Sequence, residues 1–177
     1  SNIDFHLEKG AVLISSLNQE DIMDFAKLFE DDNACTGWDG GCFLFACHEE
    51  NITISGEGVI YGQGDKVFID DDVDGGAHEC PLSVTAFRPR TTFLEDVTNL
   101  TVRDITIQDA AFWTLHMAGC HHVRVQDIKI LNDVRGANND GIDPDCCKDV
   151  LITGCLVKTG DDAIVIKTTK PMTQRYG

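Results

Sequence analysis

The sequence predicts an all-β chain wound as a parallel β-helix, each coil stacked on the next. Three observations carry that prediction. Apolar residues recur at offsets 0, 2, 5 and 7 in three segments that begin at Leu100, Val123 and Val150. The segments return at intervals of 23 (123 − 100) and 27 (150 − 123), the spacing of solenoid units that bury an apolar face only against their neighbours. Almost no helical periodicity separates them, which selects strand-built coils over leucine-rich or helical repeats. Each segment reads as two half-buried strand pieces hinged at a polar pair: Arg103-Asp104, Gln126-Asp127 and Thr153-Gly154. A β-sandwich also spaces short strands regularly, but it has no reason to reuse one corner.

Taken in order, Ile3, Phe5 and Leu7, then Ala11-Val12-Leu13-Ile14 after Gly10, predict two short strands around a turn. Ile22, Phe25, Ala26, Leu28 and Phe29 fall at helical spacing behind Asn18, a candidate N-cap. They predict a short surface helix of about three turns. Residues 33–41 read as a loop carrying Trp38, a candidate for stacking on a sugar face. Asn51-Ile52-Thr53-Ile54 opens the repeating region. Gly56, Gly58, Gly62 and Gly64 then read as coil corners, because Tyr61 occupies the position where a dinucleotide fingerprint requires glycine. Residues 65–80 are an acidic insertion. Its Asp70, Asp72, Asp74 and Gly75 start like a calcium loop, but Pro81 stands where the bidentate glutamate belongs.

A chain of 177 residues fits one domain over residues 1–177 and can bury a real core. Its 14 basic and 30 acidic side chains give a net charge of −16, which argues against a nucleic-acid partner. The same charge repels an acidic polymer unless cations are concentrated locally. No apolar run reaches the roughly 18–20 residues of a membrane span, so no membrane partner is expected. No charged-then-apolar leader opens the chain, and any secretion signal is expected to lie outside it. Of the eight cysteines, Cys120, Cys146, Cys147 and Cys155 are expected to stack in the core rather than form bridges. Cys35, Cys42, Cys47 and His48 lack the close pairs of a zinc site. No metal or other cofactor is expected.

The chemistry is expected between residues 138 and 167. Asn138-Asn139-Asp140-Gly141-Ile142-Asp143 and Gly160-Asp161-Asp162-Ala163 set Asp140 and Asp161 21 positions apart (161 − 140), with one strand pattern between them. If one coil takes about that many residues, their carboxylates face the same side on coils ~4.8 Å apart. Asp161 and Asp162 would point oppositely in a regular strand, so they are expected at a corner or bulge eased by Gly160. Carboxylates crowded together raise one another's pKa. One can then stay protonated for a glycosidic leaving oxygen while another activates water. Either motif alone reads as turn chemistry; their one-coil separation favours catalysis. The residues by themselves do not rank the three acids.

Residues 43–167 resemble glycoside hydrolase family 28, the polygalacturonases and related pectin hydrolases. Asn138-Asn139-Asp140-Gly141 resembles its Asn-Thr-Asp-Gly motif with Asn139 in place of Thr, and Gly160-Asp161-Asp162-Ala163 resembles its Asp-Asp motif. The glycine-rich residues 56–64 and Phe112-Trp113-Thr114-Leu115-His116 are similar to a corner and a cleft strand of bacterial members. The resemblance implies a right-handed parallel β-helix, here partial and carrying the N-terminal helix and loop. It also implies hydrolysis with inversion, with Asp161 as general acid and Asp140 and Asp162 holding and deprotonating the water. His116, Asn138, Asp143, Lys167 and Trp113 are the candidate substrate-binding residues. The expected partner is a pectic polysaccharide, acted on by a secreted or periplasmic monomer. The family's Gly-His-Gly and Arg-x-Lys motifs do not occur in these residues, so the domain is expected to be incomplete at its C-terminal end. Two rivals are a calcium-dependent β-helical pectate lyase and a non-catalytic glycan-binding β-helix.

Overall fold

Residues 1–24, 41–70 and 81–177 are described by a computed structural model. They wind as a right-handed parallel β-helix, the hand that parallel crossovers take. The first coil holds β1 (Ile3–His6) and β2 (Val12–Ile14), followed by the two-residue β3 (Met23–Asp24). The second holds β4 (Gly41–Ser55) and β5 (Val59–Tyr61), followed by a small antiparallel pair, β6 (Phe68–Ile69) and β7 (Ser83–Val84). The third holds β8 (Arg90–Arg103) and β9 (Thr106–Gln108). The fourth holds β10 (Leu115–Ala118), β11 (His121–Gln126) and β12 (Lys129–Leu131), and the fifth β13 (Ile142–Asp145), β14 (Lys148–Thr153) and β15 (Leu156–Lys158).

Stacking these coils makes three parallel faces. One runs through the first halves of β4 and β8 to β10 and β13. A second joins β1, the later halves of β4 and β8, then β11 and β14. The third is the five-stranded sheet β2-β5-β9-β12-β15. Register follows the sequence repeat: Val123 pairs with Leu100 on one side and Val150 on the other. Leu100, Val102, Ile105, Ile107, Val123, Val125, Ile128 and Ile130 are each at most 1% exposed. The 0, 2, 5, 7 offset is therefore the inward-facing set of two faces and the corner between them.

That corner turns because one residue in each of the second to fifth coils takes a left-handed backbone conformation: Gly56, Asp104, Asp127 and Gly154 all have positive φ. Short polar side chains and glycine tolerate this region best. At Gly154 a Cβ would also meet the Asp127 carboxylate oxygen at 2.0 Å. The residues that open the second face, Asn2, Asn51, Asn99, His122 and Asp149, share the same conformation. There the amides form a ladder, with Asn99 Nδ2 donating to Asn51 Oδ1 at 2.9 Å and Asn51 Nδ2 to Asn2 Oδ1 at 2.8 Å.

Cys42, Cys47, Cys120, Cys146, Cys147 and Cys155 are unbridged. Cys120 lies inside the main core, and Cys147 and Cys155 pack against it, as expected for core stacking, whereas Cys146 packs in a separate cluster with Met172. The helix expected behind Asn18 does not start there. Asn18 caps a three-residue 3-10 turn, its side chain accepting from Glu20 N. Ile22 is already extended, and Met23 pairs with Cys42 in β4, so sheet pairing overrides helical spacing at that end. The other residues of that expected helix, Trp38, Cys35, Cys80 and the acidic stretch 71–80 lie outside the described residues.

The sequence reading missed one helix, α1 (Lys170–Tyr176), which starts with Pro beside its first turn and Thr169 as N-cap. It docks on the outside of the first face through Met172, which packs with Phe93 and Ala118. Arg175 Nη1 and Tyr176 Oη each donate to the buried Glu95 at 2.8 Å. Among the described residues, no helix is long and apolar enough to cross a membrane.

Candidate active site

Asp140, Asp161 and Asp162 lie where the third face turns into the first, just before β13 and the stretch that stacks on it. Ile142 bridges to Ile164, an offset of 22 (164 − 142). Asp162 therefore stands opposite Asp140, and Asp161 opposite Asn139, one residue away from the alignment expected from the sequence. All three carboxylates still converge, with one oxygen of each within 4.8 Å of the others. The bend that allows this is local, Asp162 N donating to Asp161 Oδ1 at 2.9 Å and Thr159 Oγ1 to Asp161 O at 2.7 Å. Close coil packing requires Gly141, where a Cβ would approach Ala163 O to 2.4 Å.

Asn139 anchors this junction. It is fully buried; its Nδ2 donates to Asp133 O at 2.8 Å and its Oδ1 accepts from Gly160 N at 2.7 Å. Asn132 Nδ2 donates to Asn139 O and to Thr114 Oγ1, tying in the preceding coil. Asn138 Nδ2 reaches Asp161 Oδ2 at 3.4 Å. On the other side, Asn138 Oδ1 accepts from Arg88 Nη2 at 3.0 Å.

Lys167 sits at the centre of the charge balance. Its Nζ donates to Asp140 Oδ2 at 2.8 Å, lies 3.6 Å from Asp143 Oδ1, and stands 4.3 Å from the Trp113 ring centroid. Arg90 stacks over Trp113 and Phe112, and Arg88 over Phe112. Cations are thus concentrated beside the acids in a chain of strongly negative net charge. Arg88 and Arg90 were missed by the sequence reading. The available signal was two arginines flanking Pro89, one coil before Trp113, whose carbonyl accepts from Thr91 N.

The remaining candidates lie below the surface. His116 is paired in register with Asp143 rather than set beside Asp140, stacks edge-on against Trp113, and holds Nε2 3.4 Å from Asp145. Burial pushes its pKa down to about 4, against the raising effect of Asp145, so the imidazole is neutral. Asp143 is 0% exposed. Burial, reinforced by the charge of Asp140, drives its carboxyl up to about 8, although Lys167 pulls the other way. Burial also raises Asp140 above the usual carboxylate range; Lys167 opposes this and the Asp161 charge adds to it. Asp161 and Asp162 are exposed. The arrangement therefore has two acids facing solvent, a buried one, and a partly buried cation paired with the buried one.

Three carboxylate oxygens at this spacing would also suit a cation. Lys167 already supplies a positive charge to Asp140.

The family described as "Glycosyl hydrolases family 28" matches residues 32–174. A probable polygalacturonase of Vitis vinifera is 29% identical over 126 residues, 71% of this chain and 24% of its own length. An exopolygalacturonase of Oenothera organensis is 31% identical over 113 residues, 64% of this chain and 30% of its own length. The chain spans about a quarter of the length of the curated relatives it matches. Among solved structures, an exopolygalacturonase of Thermotoga maritima superposes with a TM-score of 0.70 at 24% identity, covering 95% of this chain and 43% of that one. A polygalacturonase from Erwinia carotovora gives 0.70 at 21% identity, covering 91% and 43%. These likenesses establish the shared fold.

Proposed function

Because this chain belongs to glycosyl hydrolases family 28, we propose that it carries the acid/base centre of a hydrolase of pectic polysaccharide, polygalacturonase-like in linkage. The observation that carries the reading is the convergence of Asp140, Asp161 and Asp162 within 4.8 Å. Asp161, exposed and contacted by the Asn138 amide, gives its proton to the glycosidic oxygen as the bond to the anomeric carbon breaks. A water held between Asp140 and Asp162 attacks that carbon from the opposite face, and its proton passes to one of them. The products are two shorter sugars; solvent reprotonates Asp161 and takes the proton from the carboxylate that accepted it. The placement of Asp140 supports the water-holding role: it stands opposite Asp162 on the next coil, and Lys167 donates to its Oδ2.

The roles of the other candidates follow from their placement. Asn138 orients Asp161, Lys167 with Trp113 forms the floor beside Asp140, and Asp143 and His116 work from beneath. The cations around Phe112 and Trp113 suit an acidic sugar polymer. Such a polymer is too large to cross a membrane, which supports a secreted or periplasmic enzyme; a monomer is proposed, to be tested by its mass in solution.

Inversion is proposed although the carboxylates stand closer than the roughly 6.5–9.5 Å typical of inverting pairs. A trio leaves Asp140 and Asp162 to share the water while Asp161 donates. The test is release of reducing ends from polygalacturonic acid, measured on this chain and on its full open reading frame. Asp161→Asn is expected to lower the rate by about 10²–10⁴-fold. Full activity in Asp161→Asn would refute the reading.

A further inference from the structure

Asp143 has no exposed surface, and neither of its carboxyl oxygens has a hydrogen-bond partner. Buried polar groups in this state are uncommon enough to require an account. A side chain without surface cannot meet a sugar. Lys167 faces Asp143, its Nζ lying 3.6 Å from Oδ1 while donating to Asp140 Oδ2 at 2.8 Å. The Trp113 ring, 4.3 Å from the same nitrogen, completes the surroundings of the ammonium.

We propose that Asp143 is a positioning residue for the hydrolysis: it acts through Lys167, backing the ammonium so that it stays on Asp140, and never contacts substrate. The inference rests on the hydrolase reading. The groups facing Asp143 are Lys167, Asp140, Asp162 and, from the preceding coil, His116. Burial keeps His116 neutral and keeps Asp143 protonated up to about pH 8. A neutral carboxyl offers Lys167 an oxygen without competing for its charge, so the charge remains with Asp140. An ionised one would draw the ammonium away from the acid it serves.

The experiment is a double-mutant cycle on the enzyme expressed from its full open reading frame, with polygalacturonic acid as substrate at pH 5. Asp143→Asn, which keeps a neutral oxygen, is expected within about threefold of the parent in kcat. Asp143→Leu is expected to lower kcat about tenfold with KM within about twofold. Added to Lys167→Met, the Leu change is expected to cost less than about twofold more, because its route is already gone. Asp143→Ala takes its place in the cycle if the Leu variant does not fold. The proposal is overturned if Asn is as damaging as Leu, if the loss appears in KM, or if the two losses multiply in full. Any of those results with Asp161→Asn inactive sinks this inference alone; Asp161→Asn fully active sinks the hydrolase reading beneath it.

Discussion

Asp162, not Asp161, faces Asp140 across the coil boundary, because Ile142 bridges to Ile164. On the proposed hydrolase reading, the two acids in register on adjacent coils would hold the water, and exposed Asp161, one residue back, would protonate the leaving oxygen. Asp162→Asn is therefore expected to lower kcat by about 10²-fold or more with little change in KM. Steady-state kinetics on polygalacturonic acid check it. The anomer released first, read by proton NMR before mutarotation, tests the water-in-between geometry: inversion is expected, and retention would assign one carboxylate as nucleophile instead.

Asp143 gives a pH signature in stability that is independent of activity. Its folded pKa, about 8, lies above the ordinary 3.8. Between those values the folded state holds a proton the unfolded state has lost, so stability falls as pH rises through that window. It is favourable below pH 4 and lost by about pH 8. The slope is roughly 1.4 kcal/mol per pH unit at most. Asp143→Asn removes the titration, and its Tm advantage over the parent is expected to grow between pH 4 and 8. Thermal melts across that range measure it.

Asn139 stands where the family motif has Thr, and two of its atoms are committed, to Asp133 O and Gly160 N. A threonine hydroxyl lacks the reach to serve both. Asn139→Thr is expected to destabilise the protein by about 1–3 kcal/mol, read by denaturant unfolding.

Lys167 already neutralises part of the acid cluster through its ion pair with Asp140. Chelation with EDTA is therefore expected to leave the rate unchanged. A loss restored by calcium would favour lyase chemistry, with an unsaturated product absorbing in the ultraviolet.

Much of this was legible in the chain. The inward set from Leu100 to Ile130 was readable because strand alternation and a fixed corner leave a periodic trace. The meeting of Asp140, Asp161 and Asp162 was readable because it needs only coil length. Their order across the boundary was not, because coil length varies: Leu115 to Ile142 is a step of 27 (142 − 115) and Ile142 to Ile164 one of 22 (164 − 142). The burial of Asp143 was hidden for the same reason, its neighbour being His116 of the coil before. The Arg88 and Arg90 stacks depend on side chains meeting across coils; the two arginines flanking Pro89 mark a cationic stretch but do not say which rings it meets. At Met23, pairing with β4 overrode a helical spacing that looked sound in isolation.

The left-handed corners and their amide ladder have a wider consequence. Ile52 pairs with Leu100 over a step of 48 (100 − 52), yet Leu100 pairs with Val123 over a step of 23 (123 − 100), and both meet in the same column. Each winding thus closes on itself whatever excursion leaves its edge. The excursions between coils can therefore differ in length and charge without shifting the stacked columns that hold the three aspartates at their mutual distances.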